Sequence, residues 1–526
     1  MKQAYIVCFS ILWIMAIFSD YWNKHLLHQQ GFNFFDQWPY LIGLAVLTLG
    51  SGLLIFKGPQ SMSLAKRPVM LLPYFIILTL IAYLCNTAYS TDLNENQYVA
   101  LTSGSAIMSV LWKSTSSLVL LSLIWIAPYS LGHWIRNRLG VDLAQRQSFT
   151  LDLVIGLGVY SLFLFIIALT QIFYLPIILV LMLASIGVNY KYLWSWFRST
   201  ILQPINVESI TPISWVLLTV VMVVFSMNFL ADIVPFPSGF DSRNYYMNIT
   251  KLIATNNGMV SGFQPYPWQL FMAQGHLLTA GKGMLSQMIS MSAAVFVCIG
   301  LFEICKSYLH LSKNQAYLAL ALFIITPAIQ NHLFIEIKVD LGLLLVQCGM
   351  LIFVLDRLYQ YSQTQQIPTL MDLVVLGFIT GYGASIKTLN FYLLFALLVA
   401  LWSIIFRYKG FLATFLLSIA AILIAKFDSV SGMNQYHLSI GLVKYTTLLV
   451  GLGMLVWIAY NQRIKFITTV KQSAIFIGIL FATLSPWFIK NYVESGSLDP
   501  NTLIRGAEPG PKINMQLIRK NYPPKK

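Results

Sequence analysis

Charge is what this chain has least of. Of its 526 residues only 10% are Asp, Glu, Lys or Arg, whereas 57% are hydrophobic, and the mean hydropathy is +0.72. A soluble domain carries roughly 25% charge. A water-soluble chain of this composition would lack the polar groups to cover its own surface, so soluble multidomain architectures are excluded. Cysteine is scarce as well. Cys8, Cys85, Cys298, Cys305 and Cys348 contain no CxxC pair, and each lies in or beside an apolar stretch. That excludes a disulfide framework and a thiolate metal cluster, and reads them as small apolar packing residues. HExxH, GxSxG, P-loop and Rossmann fingerprints do not occur in a fitting context, so the chemistry of those soluble enzymes is not written here. The alternating ten-residue segments of an outer-membrane barrel are missing too.

Near-continuous apolar runs of about 17–22 residues take their place, the length of a membrane-crossing helix. Only helices or closed barrels satisfy the backbone in hydrocarbon. The runs therefore predict an all-α polytopic membrane protein of about fifteen transmembrane helices, near 4–18, 39–56, 70–86, 114–132, 150–170, 173–190, 213–230, 284–304, 315–331, 339–355, 371–386, 389–406, 411–426, 445–460 and 472–489. The pair 371–386 and 389–406 also reads as one broken or re-entrant element. Lys2 and the apolar run to Phe18 lack a small-x-small cleavage site, and read as a retained first helix.

The formal net charge is +15, from 33 basic and 18 acidic residues. In a soluble protein that excess suggests nucleic acid; here the basic residues sit mostly in short connections, which is an orientation signal, and no nucleic-acid partner is expected. With the N-terminus placed in the cytoplasm and the spans alternated, every cytoplasmic connection carries a basic residue. Examples are Lys66 and Arg67, Arg136 and Arg138, Lys306 and Lys313, and Arg463 with Lys465. Residues 491–526, rich in Pro and Lys (Pro509, Pro511, Pro523, Pro524, Lys525, Lys526), read as a poorly ordered outer tail.

One connection is too long to be a mere linker. Residues 231–283 hold Pro235, Pro237, Gly239, Asp241, Arg243, Tyr245 and Tyr246, then Asn256-Asn257-Gly258, then Tyr266-Pro267-Trp268. Tyr245 to Ala254 predicts an interfacial helix ended by Asn256–Gly258, with Tyr266 and Trp268 at headgroup level. Long loops in compact domains are usually functional. The same outer side gathers Glu336, Lys338 and Asp340 at the mouth of the tenth span, Lys387 between the eleventh and twelfth, and Lys490, Asn491 and Tyr492 after the last. Ionisable groups at membrane depth face a polar cavity or a partner. Glu336 and Asp340 are spaced i, i+4, so a helix would put both carboxylates on one face. Glu336 and Asp340 could share a divalent ion through oxygen ligands, but two carboxylates are few, so metal dependence stays open and no metal ligand set is assigned. His276, His332 and His437 have no ligand-like spacing and read as interfacial.

In this order the segments from about 213 to 500 resemble the multispanning glycosyltransferases of the GT-C superfamily, relatives of the protein O-mannosyltransferases and the lipid A aminoarabinose transferases. The matching stretches are Gly239-Phe240-Asp241-Ser242-Arg243-Asn244-Tyr245-Tyr246; Asn257-Gly258 with Tyr266-Pro267; Thr326-Pro327-Ala328 followed by Lys338-Val339-Asp340-Leu341; and Gly381 to Lys387 with Ser485-Pro486-Trp487-Phe488-Ile489-Lys490-Asn491-Tyr492. Tyr246 stands where many relatives have His, and Ser497-Leu498-Asp499-Pro500 departs from the family's Asn-Pro-Val.

The resemblance implies an enzyme of the bacterial inner membrane that works on the periplasmic side. It would transfer a sugar from a polyprenyl-phosphate donor to a glycan, lipid or protein acceptor without a cofactor. Asp241 carries over as general base; Arg243, Lys387 and Lys490 are the candidates for the donor phosphate, and Tyr245, Glu336, Lys338, Asp340 and Asn491 are further site candidates. It divides the chain into an N-terminal transmembrane extension of about six helices (1–212), a GT-C-like core (213–490) and the tail. Two other readings stand beside it: an envelope polysaccharide polymerase or ligase, and a lipid or solute transporter. The polymerase would favour more Arg and His in the loop than Arg243 alone, and the transporter a repeat of broken helices that the chain does not display.

Overall fold

The computed structural model describes residues 71–88, 103–143, 148–202, 211–232, 246–260, 267–335, 338–365, 367–387, 390–424 and 440–495, with a few isolated positions. These are 88% helical, with no strand among them. In chain order the helices are α1 (Leu71–Ala88), α2 (Gly104–Arg138), α3 (Phe149–Leu169), α4 (Leu175–Gly187), α5 (Tyr190–Trp196), α6 (Pro212–Asp232), α7 (Met247–Thr255) and α8 (Pro267–Leu278), then α9 (Met284–Glu303), α10 (Lys313–Ile325), α11 (Pro327–Gln330), α12 (Asp340–Thr364), α13 (Leu370–Ile386), α14 (Phe391–Ile424), α15 (Ile440–Asn461) and α16 (Arg463–Ser495). Seven helices (α2, α3, α9, α12, α14, α15 and α16) are long and apolar enough to cross a membrane, or eight spans if the bent pair α4–α5 counts as one. The protein is a multi-pass, all-α membrane protein.

Two of the fifteen expected stretches, 4–18 and 39–56, lie outside the described residues. The other thirteen fall on helices, but their number overstates the clear crossings. The apolar parts of α6, α10 and α13 are shorter than a full span. The stretches 389–406 and 411–426 are, as expected, two helices; they meet at a sharp kink at Arg407, where φ is 57° and ψ −140°, and share the label α14. Beyond that break the chain folds back, so that Gly410 lies against the Trp402 carbonyl. Between α13 and α14, Asn390 N donates to Lys387 O at 3.0 Å.

Local chemistry sets the helix ends. The Ser148 side chain caps α3 by accepting from Leu151 N at 3.1 Å, and Thr369 with Asp372 forms a reciprocal capping box on α13. Glu303, at the end of α9, accepts from Ser148 Oγ at 2.7 Å and Phe149 N at 3.1 Å, tying α9 to the first turn of α3. In hydrocarbon the close approach of helices rests on small residues. Gly132 and Gly156 bring α2 and α3 together backbone to backbone, and Gly377 and Gly381, four apart, seat α13 against Phe476 and Leu480 of α16. One buried core runs from Leu121 to Trp487. Cys298, Cys305 and Cys348 are unbridged and buried within the bundle, as packing residues.

The end where α2 finishes and α3 begins holds a cluster of buried ions. Asp152, 1% exposed, takes His133 Nδ1 at 2.7 Å and the Arg136 guanidinium. Arg357 bridges Asp356 at 2.9 Å and Asp372 at 3.0 Å.

The long connection departs from expectation in its second half. α7 ends as predicted, at Asn256 and at Asn257, whose φ is 57°. α8 does not lie in the headgroup layer. It is buried from Pro267 to His276, wedged among α3, α9 and α12, and Trp268 is fully buried. Tyr266 and His437 lie outside the described residues. His276 is likewise not interfacial: it is 3% exposed, its Nδ1 3.3 Å from the Gly281 carbonyl and its Nε2 3.2 Å from Thr250 Oγ1, which joins α8 to α7. His332 is half-buried.

His276 sits in this connection and not in a span, and burial, with Lys251 nearby, lowers its pKa from 6.5. The unfolded chain therefore takes up a proton at higher pH than the folded one. The stability held by neutral His276 is complete above about pH 6.5 and is lost as pH falls below it. The thermal midpoint in detergent is expected to fall between pH 7.5 and 5.5, and His276→Gln to flatten that fall.

Candidate functional site

The opposite end of the bundle is built by the segments that the sequence singled out. α13 and α16 run in the same direction, with Gly377 beside Phe476 and Gly381 beside Leu480. At 1.5 Å per residue, Lys387 lies about 9 Å beyond the Gly381 contact and Lys490 about 15 Å beyond the Leu480 contact. Both lysines thus emerge at one end. Trp487, on the same last turns of α16, packs edge-to-face on Phe165 of α3 at 4.4 Å. The connection after α3 is fastened to α7's end: Phe173 N donates to Asn257 O at 2.8 Å, and Met259 N to Ala168 O at 3.0 Å.

Asp340 opens α12 beside these groups. Lys387 leaves α13 as its C-cap residue, in extended conformation, and its Nζ donates to Asp340 Oδ1 at 2.5 Å. The Lys387 side chain is 37% exposed and that of Asp340 26%, so the pair remains open to a ligand. Asn390 holds the turn that presents Lys387. It is 1% exposed, its backbone N donates to Lys387 O at 3.0 Å, its side chain donates to Thr380 O at 3.2 Å, and it accepts from Gln347 Nε2 at 3.2 Å. The segment before α12 is pinned by Ser290 Oγ, which donates to Lys338 O at 2.8 Å.

α8 reaches this place from below. Its Trp268 ring lies against Gly342, two residues after Asp340, and between Trp125 and Phe271, at centroid distances of 6.2 and 5.6 Å. Farther along α8, Gln274 accepts from the Tyr160 hydroxyl at 2.8 Å. The wedge therefore fixes the first turn of α12, and with it Asp340.

Of the residues expected at the site, the structure joins Asp340 and Lys387 directly and brings Lys490, 6% exposed, to the same end. Asn491 follows it on α16. Lys338 is half-buried just before α12. Asp241, Arg243, Tyr245 and Glu336 lie outside the described residues. α12 begins at Asp340, so the described helix does not extend back to Glu336 to put the two carboxylates on one face. Among the described residues there is no group of three His, Cys, Asp or Glu side chains that could hold a metal ion. The sequence singles out neither Asn390 nor Gly342, and it places Trp268 at headgroup level and not beneath Asp340. The only signal for Asn390 was an amide in the short break between two apolar runs; for Gly342 there was none.

Chemically, the arrangement offers a partly exposed lysine–carboxylate pair, Lys387 with Asp340, and a buried Lys490 at the same end of the bundle. An ion pair this exposed contributes little to stability, about 0–1 kcal/mol. Its value lies in holding a cation ready for an anionic ligand. The chain matches no family model, no curated protein and no solved structure. Its own fold and site define it as a multi-pass helical membrane protein with a paired acid and base at one end of the bundle.

A Cβ at position 342 would enter the Trp268 ring, whereas nothing lies within 4 Å of one at Gly453. Gly342→Val should lower the thermal stability in detergent by about 1–3 kcal/mol through overpacking, and Gly453→Ala should leave it unchanged.

Proposed function

We propose that this protein transfers a sugar from a polyprenyl-phosphate-linked donor to a cell-envelope acceptor at the outer face of the bacterial inner membrane. The observation that carries the reading is the convergence of Asp340, Lys387 and Lys490 at one end of the bundle, beside the helices of the long connection that holds Asp241. A polyisoprenoid tail stays in the bilayer, so its phosphate can meet protein only at the membrane boundary, where these lysines stand.

In this reaction Asp241 takes the proton of the acceptor hydroxyl as its oxygen attacks the anomeric carbon. The bond from that carbon to the phosphate oxygen breaks, and the polyprenyl phosphate departs carrying the electron pair. Lys387, Lys490 and Arg243 stabilise the charge that builds on it. Asp340 is a positioning residue that keeps Lys387 aimed at the boundary, and α8 with Gly342 keeps Asp340 in place.

Transfer from polyprenyl-phosphate sugars in membranes carrying each variant tests the reading. Asp241→Asn is expected to lower the rate by at least about 100-fold, and Lys387→Met by about 100-fold, with unchanged thermal midpoints. Full activity in Asp241→Asn would remove the general base. Cysteine labelling that puts position 241 and position 490 on opposite faces would end the proposal altogether.

A further inference from the structure

At the other end of the bundle, a short element away from the candidate site has a surface of its own. α4 is apolar on its open side: Val180 and Leu183 are 64% and 65% exposed, and Ile177, Leu179 and Val188 are open too. On a membrane protein that is a face for hydrocarbon. The chain then bends by 69° into the segment of α5, and the chemistry changes at the bend. Tyr190, Lys191, Trp194 and Arg198 point outward, with Tyr190 60% and Trp194 65% exposed. Lys191, Trp194 and Arg198 are spaced i, i+3, i+7 and share one face.

The inward face of α5 is firmly docked. The Tyr192 ring stacks on His133 of α2 at 3.6 Å, and its hydroxyl lies 3.1 Å from that of Tyr129. Trp196 packs on Tyr129 and on Phe149, the first residue of α3, at 5.9 and 6.4 Å. His133 is five residues from the end of α2, so α5 lies about 8 Å inside that end. A second aromatic–basic pair opens at the same level: the Arg138 guanidinium lies 5.7 Å from the Trp134 ring, and Trp134 is 36% exposed.

We infer that α5 and the turn after it lie along the membrane–water boundary of this leaflet and bind anionic phospholipid. Lys191 and Arg198 pair with headgroup phosphates, and Tyr190 and Trp194 seat at the level of the lipid carbonyls. Four features commit the surface to lipid and not to a protein partner. The hydrocarbon-facing side of α4 leads straight into it. The bend turns the helix away from the span direction. Aromatic residues with lysine and arginine are the composition of interfacial helices. Finally, the charge pattern puts this end on the cytoplasmic side, where anionic lipid attracts basic segments. If the pair α4–α5 instead formed a single broken span, Lys191 and Arg198 would enter hydrocarbon, where cations are costly.

The test uses the full-length protein in nanodiscs of phosphatidylcholine with phosphatidylglycerol. A bimane probe on Trp194→Cys, an exposed position, is expected to be quenched by lipids brominated near the carbonyl and only weakly by aqueous iodide. Lys191→Gln with Arg198→Gln is expected to reduce the enrichment of phosphatidylglycerol around the protein by at least about threefold, with the thermal midpoint unchanged. Quenching by iodide alone would place α5 in water, and quenching by bromines near the chain ends would place it in the bilayer core; either overturns the inference. Unaltered phosphatidylglycerol enrichment in the double variant would overturn the headgroup pairing.

Discussion

Charge in hydrocarbon is expensive, and the structure is arranged around that cost. Several of the bundle's buried ions meet a counter-ion or a hydrogen-bond donor. Asp152 is held between His133 and Arg136, Arg357 between Asp356 and Asp372, and Glu303 against the capped start of α3. All of these gather where α2 ends and α3 begins. There they join helices distant in sequence without exposing a charge to lipid. Removing one partner of such a pair leaves the other buried and uncompensated, which typically costs about 3–5 kcal/mol.

The Asp340–Lys387 pair obeys the same rule with a different outcome. It is equally short but only partly covered, so water and ligand can reach it. Burying it would have made another internal staple. Left at the rim, with Lys490 at the same end, it is the ion pair among the described residues in which both side chains are partly exposed. The support beneath it is rigid: Asn390 fixes the turn, Ser290 fixes the segment before α12, and Trp268 fills the space that Gly342 leaves.

Long apolar helices were legible in the sequence because hydropathy reports them directly. The thirteen expected stretches within the described residues fall on helices, the Asn256–Gly258 stop ends α7 as expected, and 389–406 and 411–426 are two helices that meet at Arg407. α8 was not legible. Its twelve residues are too few for a span, so their apolar and aromatic content read as an interfacial loop. Composition records that Trp268 avoids water, but not whether lipid or protein covers it. The same limit hid Asn390 and Gly342, whose roles depend on contacts with chain 10 to 74 positions away. The convergence of Asp340 and Lys387 was half visible, as polar residues on one predicted side. Their pairing depends on the packing of α12 against α13, and the arrival of Lys490 at the same end on the seating of α13 against α16, which only the packing reveals.

That seating has a consequence for how the molecule is made. The wall that Gly377 and Gly381 lean on is formed by Phe476 and Leu480, about a hundred positions further along the polypeptide. Translation delivers α14 and α15 first, so during synthesis α13 must wait in the translocon's vicinity with a bare glycine groove, open to lipid. The mouth around Lys387 is completed only when α16 arrives and slides into that groove, which makes docking of the last helix the step that turns an inserted chain into a finished site.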